Sequence, residues 1–94
     1  MKVELLDAFV EQLNEQIDYI ARDKPSAARK FKNDILSQIK KLAKNPMLHR
    51  QSIYFENMQY RDMIFKGYKV VLKIDNEKDT VFVIGLVNTQ LGIG

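Results

Sequence analysis

The C-terminal half of the chain alternates apolar and polar residues in a way that predicts three strands. In residues 68–74, apolar side chains alternate with more polar ones, the period of a strand with one buried face. Residues 80–87 are almost entirely apolar and rich in β-branched side chains, which predicts an innermost strand buried on both faces. Residues 60–65 form the remaining strand, and residues 66–67 and 75–79 fit turns. Together they predict an antiparallel meander.

In the N-terminal half, apolar residues recur every three or four positions, which predicts two helices. The first runs from Leu6 to near Arg22, and its apolar positions are Leu6, Phe9, Val10, Leu13, Ile17 and Ile20. Pro25 cannot continue that helix but suits the first turn of a second one, which extends to about Lys44. The stripe of the second helix is Ala28, Phe31, Ile35, Ile39 and Leu42. The short connection between the helices predicts a helical hairpin.

These elements predict an α+β fold within one domain, residues 1–94. A helical hairpin at about residues 6–44 packs on one face of an antiparallel sheet at about residues 53–88, and the other face stays partly open. Lys2–Leu5 fits a short first strand, and residues 52–55 fit an edge strand. A chain of 94 residues is long enough for one hydrophobic core.

Composition excludes several classes of function. The chain has no cysteine, so disulfides and thiolate metal sites are excluded. His49 has no second histidine to share a metal ion, and the four glycines build no phosphate loop, so neither a metal nor a cofactor is expected. No apolar run is long enough to span a bilayer, and the N-terminus does not read as a secretion leader. We therefore expect a cytoplasmic protein.

The formal net charge of +3 conceals a concentrated positive segment. Residues 1–23 carry two basic and six acidic residues, residues 24–50 carry eight basic and one acidic, and residues 51–94 carry five of each. The middle segment, at +7, would attract nucleic acid or an acidic protein, although a solvated helix face has the same pattern. Its candidate partner-binding residues are Arg29, Lys30, Lys32, Lys40, Lys41 and Lys44.

A few side chains offer candidate chemistry. His49 could act as a general base in RNA cleavage, or it could be an ordinary surface histidine. Arg61 shares a strand face with Met63 and Phe65, where it could clamp a phosphate or carboxylate or form a structural salt bridge. Lys69 could bind phosphate or keep a wet sheet face soluble.

Aromatic residues are interleaved with these cations, a mixture that can stack the bases of single-stranded nucleic acid. They are Tyr54, Phe55, Tyr60, Phe65, Tyr68 and Phe82. Since most of them occupy positions expected to face the core, packing is the favoured interpretation.

The order of elements, together with particular residues, resembles the RelE/ParE superfamily of bacterial type II toxins, often labelled plasmid-stabilisation proteins. The resemblance covers roughly residues 2–88. It rests on residues 17–28 with their tyrosine, proline and paired alanines, the apolar stripe of the second helix, Asn45-Pro46, Arg61, Gly67-Tyr68 and residues 83–86.

The resemblance implies a choice between two activities. The RelE-like branch cuts messenger RNA on the ribosome with basic, aromatic and acid/base residues, whereas the ParE-like branch lacks that set and poisons DNA gyrase. Arg61 matches a nuclease-branch arginine, but Lys69 stands where that branch often has arginine, and Asn88-Thr89 where it often has histidine. Asparagine cannot exchange a proton near neutral pH. The resemblance therefore implies a ParE-like, binding toxin.

The same resemblance implies a cognate antitoxin that lays an extended segment and a helix over the hairpin and the sheet. An acidic antitoxin tail would complement the +7 segment, and Arg61, Leu91 and Ile93 are further expected partner contacts. Two alternatives remain open. One is a ribosome-dependent endoribonuclease that uses Arg61, Lys69 and His49, and the other is a degenerate, non-toxic interaction module.

Overall fold

The computed structural model describes residues 1–89, which form two helices and a five-stranded sheet. The helices and strands, in chain order, are β1 (Lys2–Leu5), α1 (Asp7–Asp23), α2 (Pro25–Lys40), β2 (Arg50–Gln51), β3 (Tyr60–Phe65), β4 (Tyr68–Asp75) and β5 (Thr80–Asn88). Two short 3₁₀ turns, Lys41–Ala43 and Pro46–Leu48, follow α2. The predicted α+β class, helical hairpin and three-stranded meander are confirmed.

The strand order is β1-β5-β4-β3-β2, which makes the sheet mixed. The neighbours β2, β3, β4 and β5 pair antiparallel, whereas β1 pairs with β5 in parallel. The short first strand is therefore confirmed. The prediction that residues 80–87 form the innermost strand is wrong, because β1 adds to the far side of β5 and leaves β4 in the middle. One face of β5 is only half-buried, since the helices cover the opposite face.

The edge strand begins two residues earlier than the sequence predicted. β2 contains only Arg50 and Gln51, which pair with Asp62 and Arg61. The Ser52 amide still donates to the Tyr60 carbonyl at 2.9 Å, but the Ser52 hydroxyl then accepts from the Tyr54 amide at 3.2 Å. This side-chain bond turns the chain away from the sheet, as serine often does in turns. Residues 52–55 therefore form a loop.

The hydrophobic core lies between the helical hairpin and one face of the sheet. All five residues of the predicted stripe of α2 are buried. In α1, only Phe9 and Leu13 are buried, whereas Val10 stays exposed at the rim. The sheet's contribution to the core is Met63, Phe65, Tyr68, Val70, Leu72, Val81, Val83 and Leu86. The opposite face of the sheet, which we call the outer face, has no helix packed on it.

The β3–β4 turn determines how the meander ends. The β3–β4 turn has positive φ at Lys66 (44°) and at Gly67 (81°), as a two-residue hairpin requires, which confirms the predicted turn. The Gly67 carbonyl accepts from the Thr89 amide at 2.9 Å and from the Thr89 hydroxyl at 2.6 Å. The end of β5 is thereby held against the β3–β4 turn.

A side chain of helix α1 bonds to the backbone of β5 next to an irregularity in that strand. Val71 pairs with Gly85 and Leu72 with Val83, so Ile84 is an extra residue in the β5 strand. The Gln12 Oε1 atom accepts from the Leu86 amide at 2.8 Å and so ties α1 to the backbone of β5 close to this extra residue.

Replacing Gln12 by alanine is expected to lower the free energy of unfolding by about 1–2 kcal/mol, because the Leu86 amide loses its acceptor. Urea denaturation measures the change. Glu11→Ala, on an exposed position of the same helix, is the matched control and should change stability by no more than about 0.5 kcal/mol. Equal effects of the two substitutions would contradict this role for Gln12.

Candidate functional site

The outer face of the sheet carries lysines and aromatic rings, partly covered by the loop of residues 52–59. Phe55 stacks on Tyr60, with ring centroids 4.0 Å apart. The Lys69 Nζ atom lies 5.5 Å from the centre of the Tyr54 ring, and the Lys73 Nζ atom lies 5.8 Å from that of Tyr60. These contacts hold the loop against β3 and β4 and place cations over aromatic faces.

A buried carboxylate anchors this loop from below. Asp62 is buried, and its Oδ2 atom accepts from the Ile53 amide at 3.1 Å. Its Oδ1 atom is buried without a hydrogen-bond partner among residues 1–89. A buried carboxylate oxygen is costly to leave unpaired. Asp62 therefore holds the loop in place through Oδ2, while its unpaired Oδ1 lowers the stability of the folded chain.

The loop and the adjacent strand expose a group of large apolar side chains, which we call the outer apolar cluster. Its members are Ile53, Tyr54, Phe55, Met58 and Ile64. Ile53 and Met58 are 64% and 68% exposed, values that a side chain contributing to the core would not show. Ile64 pairs in register with Lys69, which in turn contacts Tyr54, so the strand and loop members adjoin. Exposed apolar groups of this kind mark protein-binding surfaces.

Arg61 lies on the other side of the sheet, as the strand period predicted. It shares that face with the core residues Met63 and Phe65 and is only 9% exposed. Its Nε atom donates to the Met58 carbonyl at 2.9 Å, and its Nη1 atom donates to the His49 carbonyl at 3.1 Å. The guanidinium therefore links the residue before β2 to the C-terminal end of the loop of residues 52–59.

The three candidate nuclease residues are not gathered into one site. Arg61 touches His49 only through the latter's backbone carbonyl, and the His49 side chain is half-buried. Burial lowers the pKa of the His49 imidazole below its ordinary 6.5. Lys69 projects from the outer face, opposite Arg61, because Arg61 pairs with Leu72 and Lys69 pairs with Ile64. No common phosphate could contact all three side chains in this arrangement.

Six exposed cations form the basic surface of α2 and of the residues directly after it. They are Arg29, Lys30, Lys32, Lys40, Lys41 and Lys44. Lys30 and Lys66 both donate to the Asp34 Oδ2 atom, at 3.0 and 3.1 Å, and these bonds lower the pKa of Asp34 below 3.8. Lys40, Lys41 and Lys44, with Ser37, line an open cavity of about 350 Å³.

Leu91 and Ile93, also predicted to contact a partner, lie outside the described residues.

A family model decides which family the sequence belongs to. The model of the ParE toxin of the type II toxin–antitoxin system parDE matches residues 3–89. The chain belongs to the ParE toxin family. The resemblance seen in the sequence is thereby confirmed, and its ParE-like branch with it.

A solved structure agrees with this ParE family assignment at the level of the fold. A chain described as the chromosomal ParDE TA system from P. aeruginosa superposes with a TM-score of 0.75, covering 94% of this chain and 95% of that one. The two sequences are 15% identical, so the likeness concerns the fold. A comparison with curated proteins gives no match.

The described part of this ParE toxin contains neither a cluster of metal ligands nor a membrane-spanning helix. Within residues 1–89, no three histidine, cysteine, aspartate or glutamate side chains come together as metal ligands. None of the helices in the same range is both long and apolar enough to cross a lipid bilayer.

The sequence interpretation missed the outer apolar cluster of this ParE toxin and misplaced several aromatic rings. Of the six aromatic residues that are interleaved with cations in the sequence, only Phe65 and Tyr68 join the core, where both contact Phe31. Tyr54 and Phe55 are exposed, and Tyr60 and Phe82 are half-buried, so the expectation that most face the core is wrong. The sequence feature that could have indicated the cluster is the run of three apolar residues at 53–55. The residues that follow this run have neither strand nor helix periodicity.

His49 is expected to make the stability of this toxin depend on pH. Because its pKa is lowered in the folded state, the unfolded chain binds the proton first as the pH falls below 6.5. The free energy of unfolding should therefore decrease with falling pH in the window just below 6.5. The pKa of Asp34 lies below 3.8 in the folded state, so this carboxyl changes the free energy of unfolding only at more acidic pH.

Urea denaturation of the native chain and of His49→Gln at about pH 7.5 and about pH 5.5 measures this effect. The native chain should lose more stability than the variant between the two values. Identical losses would contradict the burial of the imidazole.

Proposed function

We propose that this ParE-family toxin acts in the cytoplasm by binding and poisoning DNA gyrase, and that a cognate antitoxin neutralises it. Membership of the ParE family supports the class of target, and the arrangement of the candidate nuclease residues supports a mechanism without RNA cleavage. The toxin's effect would then come from holding a partner, with no bond made or broken by its own side chains.

The observation that carries the proposal is the separation of Arg61 from Lys69. Nuclease chemistry needs a phosphate clamp and a proton-transferring group on one side of the scissile bond. Arg61 instead donates to two backbone carbonyls. At the end of β5, the Asn88 side-chain amide donates to the Gln16 Oε1 atom at 3.3 Å and offers no titratable group.

The outer apolar cluster supports an antitoxin as the partner that neutralises the toxin. A partner helix or extended segment laid over Ile53, Met58 and Ile64 would bury apolar area that water now covers, which favours association. The charge of the segment 24–50 would attract an acidic antitoxin tail over distance and raise the association rate. Direct contact of that tail with the basic surface, or with Leu91 and Ile93, stays a prediction.

Growth arrest caused by the intact chain, expressed without a partner, tests the proposal in cells. Lys69→Ala and His49→Ala are expected to stay toxic, and arrested cells are expected to accumulate double-strand DNA breaks. New cleavage ends in transcripts, lost together with toxicity in these two variants, would overturn the proposal in favour of the ribosome-dependent endoribonuclease. Normal growth with stable, folded intact chain would favour the degenerate module.

A further inference from the structure

We infer that the basic surface of α2 binds the phosphate backbone of a nucleic-acid duplex. This surface is distinct from the outer apolar cluster and from the segment fastened by Arg61. The inference rests on the charge, length and composition of the surface, and its test contains neither gyrase nor an antitoxin. Its outcome is therefore independent of whether the toxin poisons gyrase.

Positive charge remains uncompensated on this surface. Asp34 is the single acidic residue between positions 24 and 50, and Lys30 and Lys66 already bond to it. Within residues 1–89, Lys40, Lys41 and Lys44 form no ion pair. Three ammonium groups at the C-terminal end of α2 are therefore held near each other without an internal counter-ion, which favours an external anion.

The surface is elongated along α2. The row of cations extends about 16 Å along α2, from Arg29 to Lys40, at the helical rise of 1.5 Å per residue, and continues at Lys41 and Lys44 beyond the helix. A duplex presents one negative charge per about 1.7 Å of its axis, so such a row can face several phosphates together. The cavity lined by Ser37, Lys40, Lys41 and Lys44, about 350 Å³, adds a hydroxyl donor and space for a phosphate group.

The composition of the surface favours a nucleic acid over an acidic protein as its occupant. Protein interfaces place apolar and aromatic side chains at their centre, whereas nucleic-acid interfaces are more polar and more positively charged. No exposed large apolar residue occurs between positions 24 and 44, whereas the outer apolar cluster has five. The basic surface thus lacks the anchors that a protein partner would use, and the outer apolar cluster has them.

Fluorescence anisotropy with the purified full-length chain and a duplex of about 30 base pairs tests the inference, at about 50–200 mM salt. DNA and RNA duplexes are titrated separately, which identifies the source of the phosphate backbone. The test variant is Lys40→Gln/Lys44→Gln. The matched control is Lys2→Gln/Lys78→Gln, which removes the same charge from exposed positions of β1 and the β4–β5 turn.

The native chain should bind at least one of the two duplexes, with an affinity that falls as the salt concentration rises. Each phosphate contact contributes about 0.9 to the slope of log K against log salt, so the test variant should lose at least about tenfold in affinity and flatten the slope. The control should lose less than about threefold. Thermal melting should show both variants folded, since all four lysines occupy exposed positions, where substitutions change stability little.

Three results would overturn the inference. One is the absence of salt-dependent binding to either duplex at the lowest salt concentration. Another is an equal loss of affinity in the test and control variants, which would show that net charge alone is responsible. The third is competition by polyglutamate as effective as that by unlabelled duplex, which would assign the surface to acidic polypeptides.

Discussion

Replacing Phe9 by alanine is expected to lower the free energy of unfolding by about 3–5 kcal/mol, the largest effect of any single substitution considered. Phe9 is 0% exposed and belongs to the core cluster between α1 and the sheet. The substitution removes the buried ring and leaves a cavity that the surrounding side chains only partly fill. Since small domains have about 5–15 kcal/mol of stability in total, the change should be obvious in urea denaturation.

Phe55→Ala is the matched control, because it makes the same chemical change on an exposed ring. Phe55 is 40% exposed and its main contact is the stack on Tyr60, so the expected loss is at most about 1.5 kcal/mol. A loss at Phe9 no greater than that at Phe55 would contradict the position of the core between α1 and the sheet.

Replacing Arg61 by alanine is expected to lower the free energy of unfolding by about 2–4 kcal/mol, because hydrogen bonds from charged groups are worth about 1.5–3 kcal/mol each and two bonds made by one guanidinium contribute less than their sum. Two such bonds, to the carbonyls of Met58 and His49, disappear together. The loop that they fasten should become mobile, which amide hydrogen exchange of residues 49–58 measures alongside urea denaturation.

Arg50→Ala is the control for this prediction, since Arg50 is an exposed arginine on the neighbouring strand β2. It should change stability by less than about 0.5 kcal/mol. Arg61→Lys should recover only part of the loss, because one ammonium group cannot reproduce the geometry of a guanidinium bonded to two separate carbonyls. Full stability in Arg61→Ala would contradict the structural role.

This role changes how a toxicity test on Arg61 should be interpreted. Loss of toxicity in Arg61→Ala would follow from a loosened loop as readily as from a lost phosphate clamp. For that reason the cellular test of the proposed function uses Lys69 and His49, whose side chains make no comparable hydrogen bonds to the backbone of the loop among the described residues.

Much of the fold follows from local patterns in the sequence. The stripe of α2, the hairpin break before Pro25 and the turn at Lys66-Gly67 are each determined by residues close in the chain, and each is confirmed. The identity of the central strand could not be predicted from such local patterns. Whether β4 or β5 is central depends on β1, which pairs with β5 from more than seventy residues away.

The candidate site was harder to predict for the same reason. Strand parity placed Arg61 and Lys69 on opposite faces only once the pairing of β3 with β4 was known. The Ser52 side-chain bond that ends β2 and the Asp62 bond that anchors the loop are individual hydrogen bonds without a periodic signature. The outer apolar cluster exists because this loop leaves the sheet, so periodicity could not reveal it.

The measurement that tests the central claim most directly is a gyrase supercoiling and cleavage assay with the purified toxin. A translating-ribosome RNA cleavage assay on the same preparation accompanies it. We predict trapped gyrase–DNA breaks and intact RNA, as expected of a toxin that acts by binding. Cut RNA with unaffected gyrase would contradict the account and would mean that Arg61, Lys69 and His49 act from positions that this structure does not bring together.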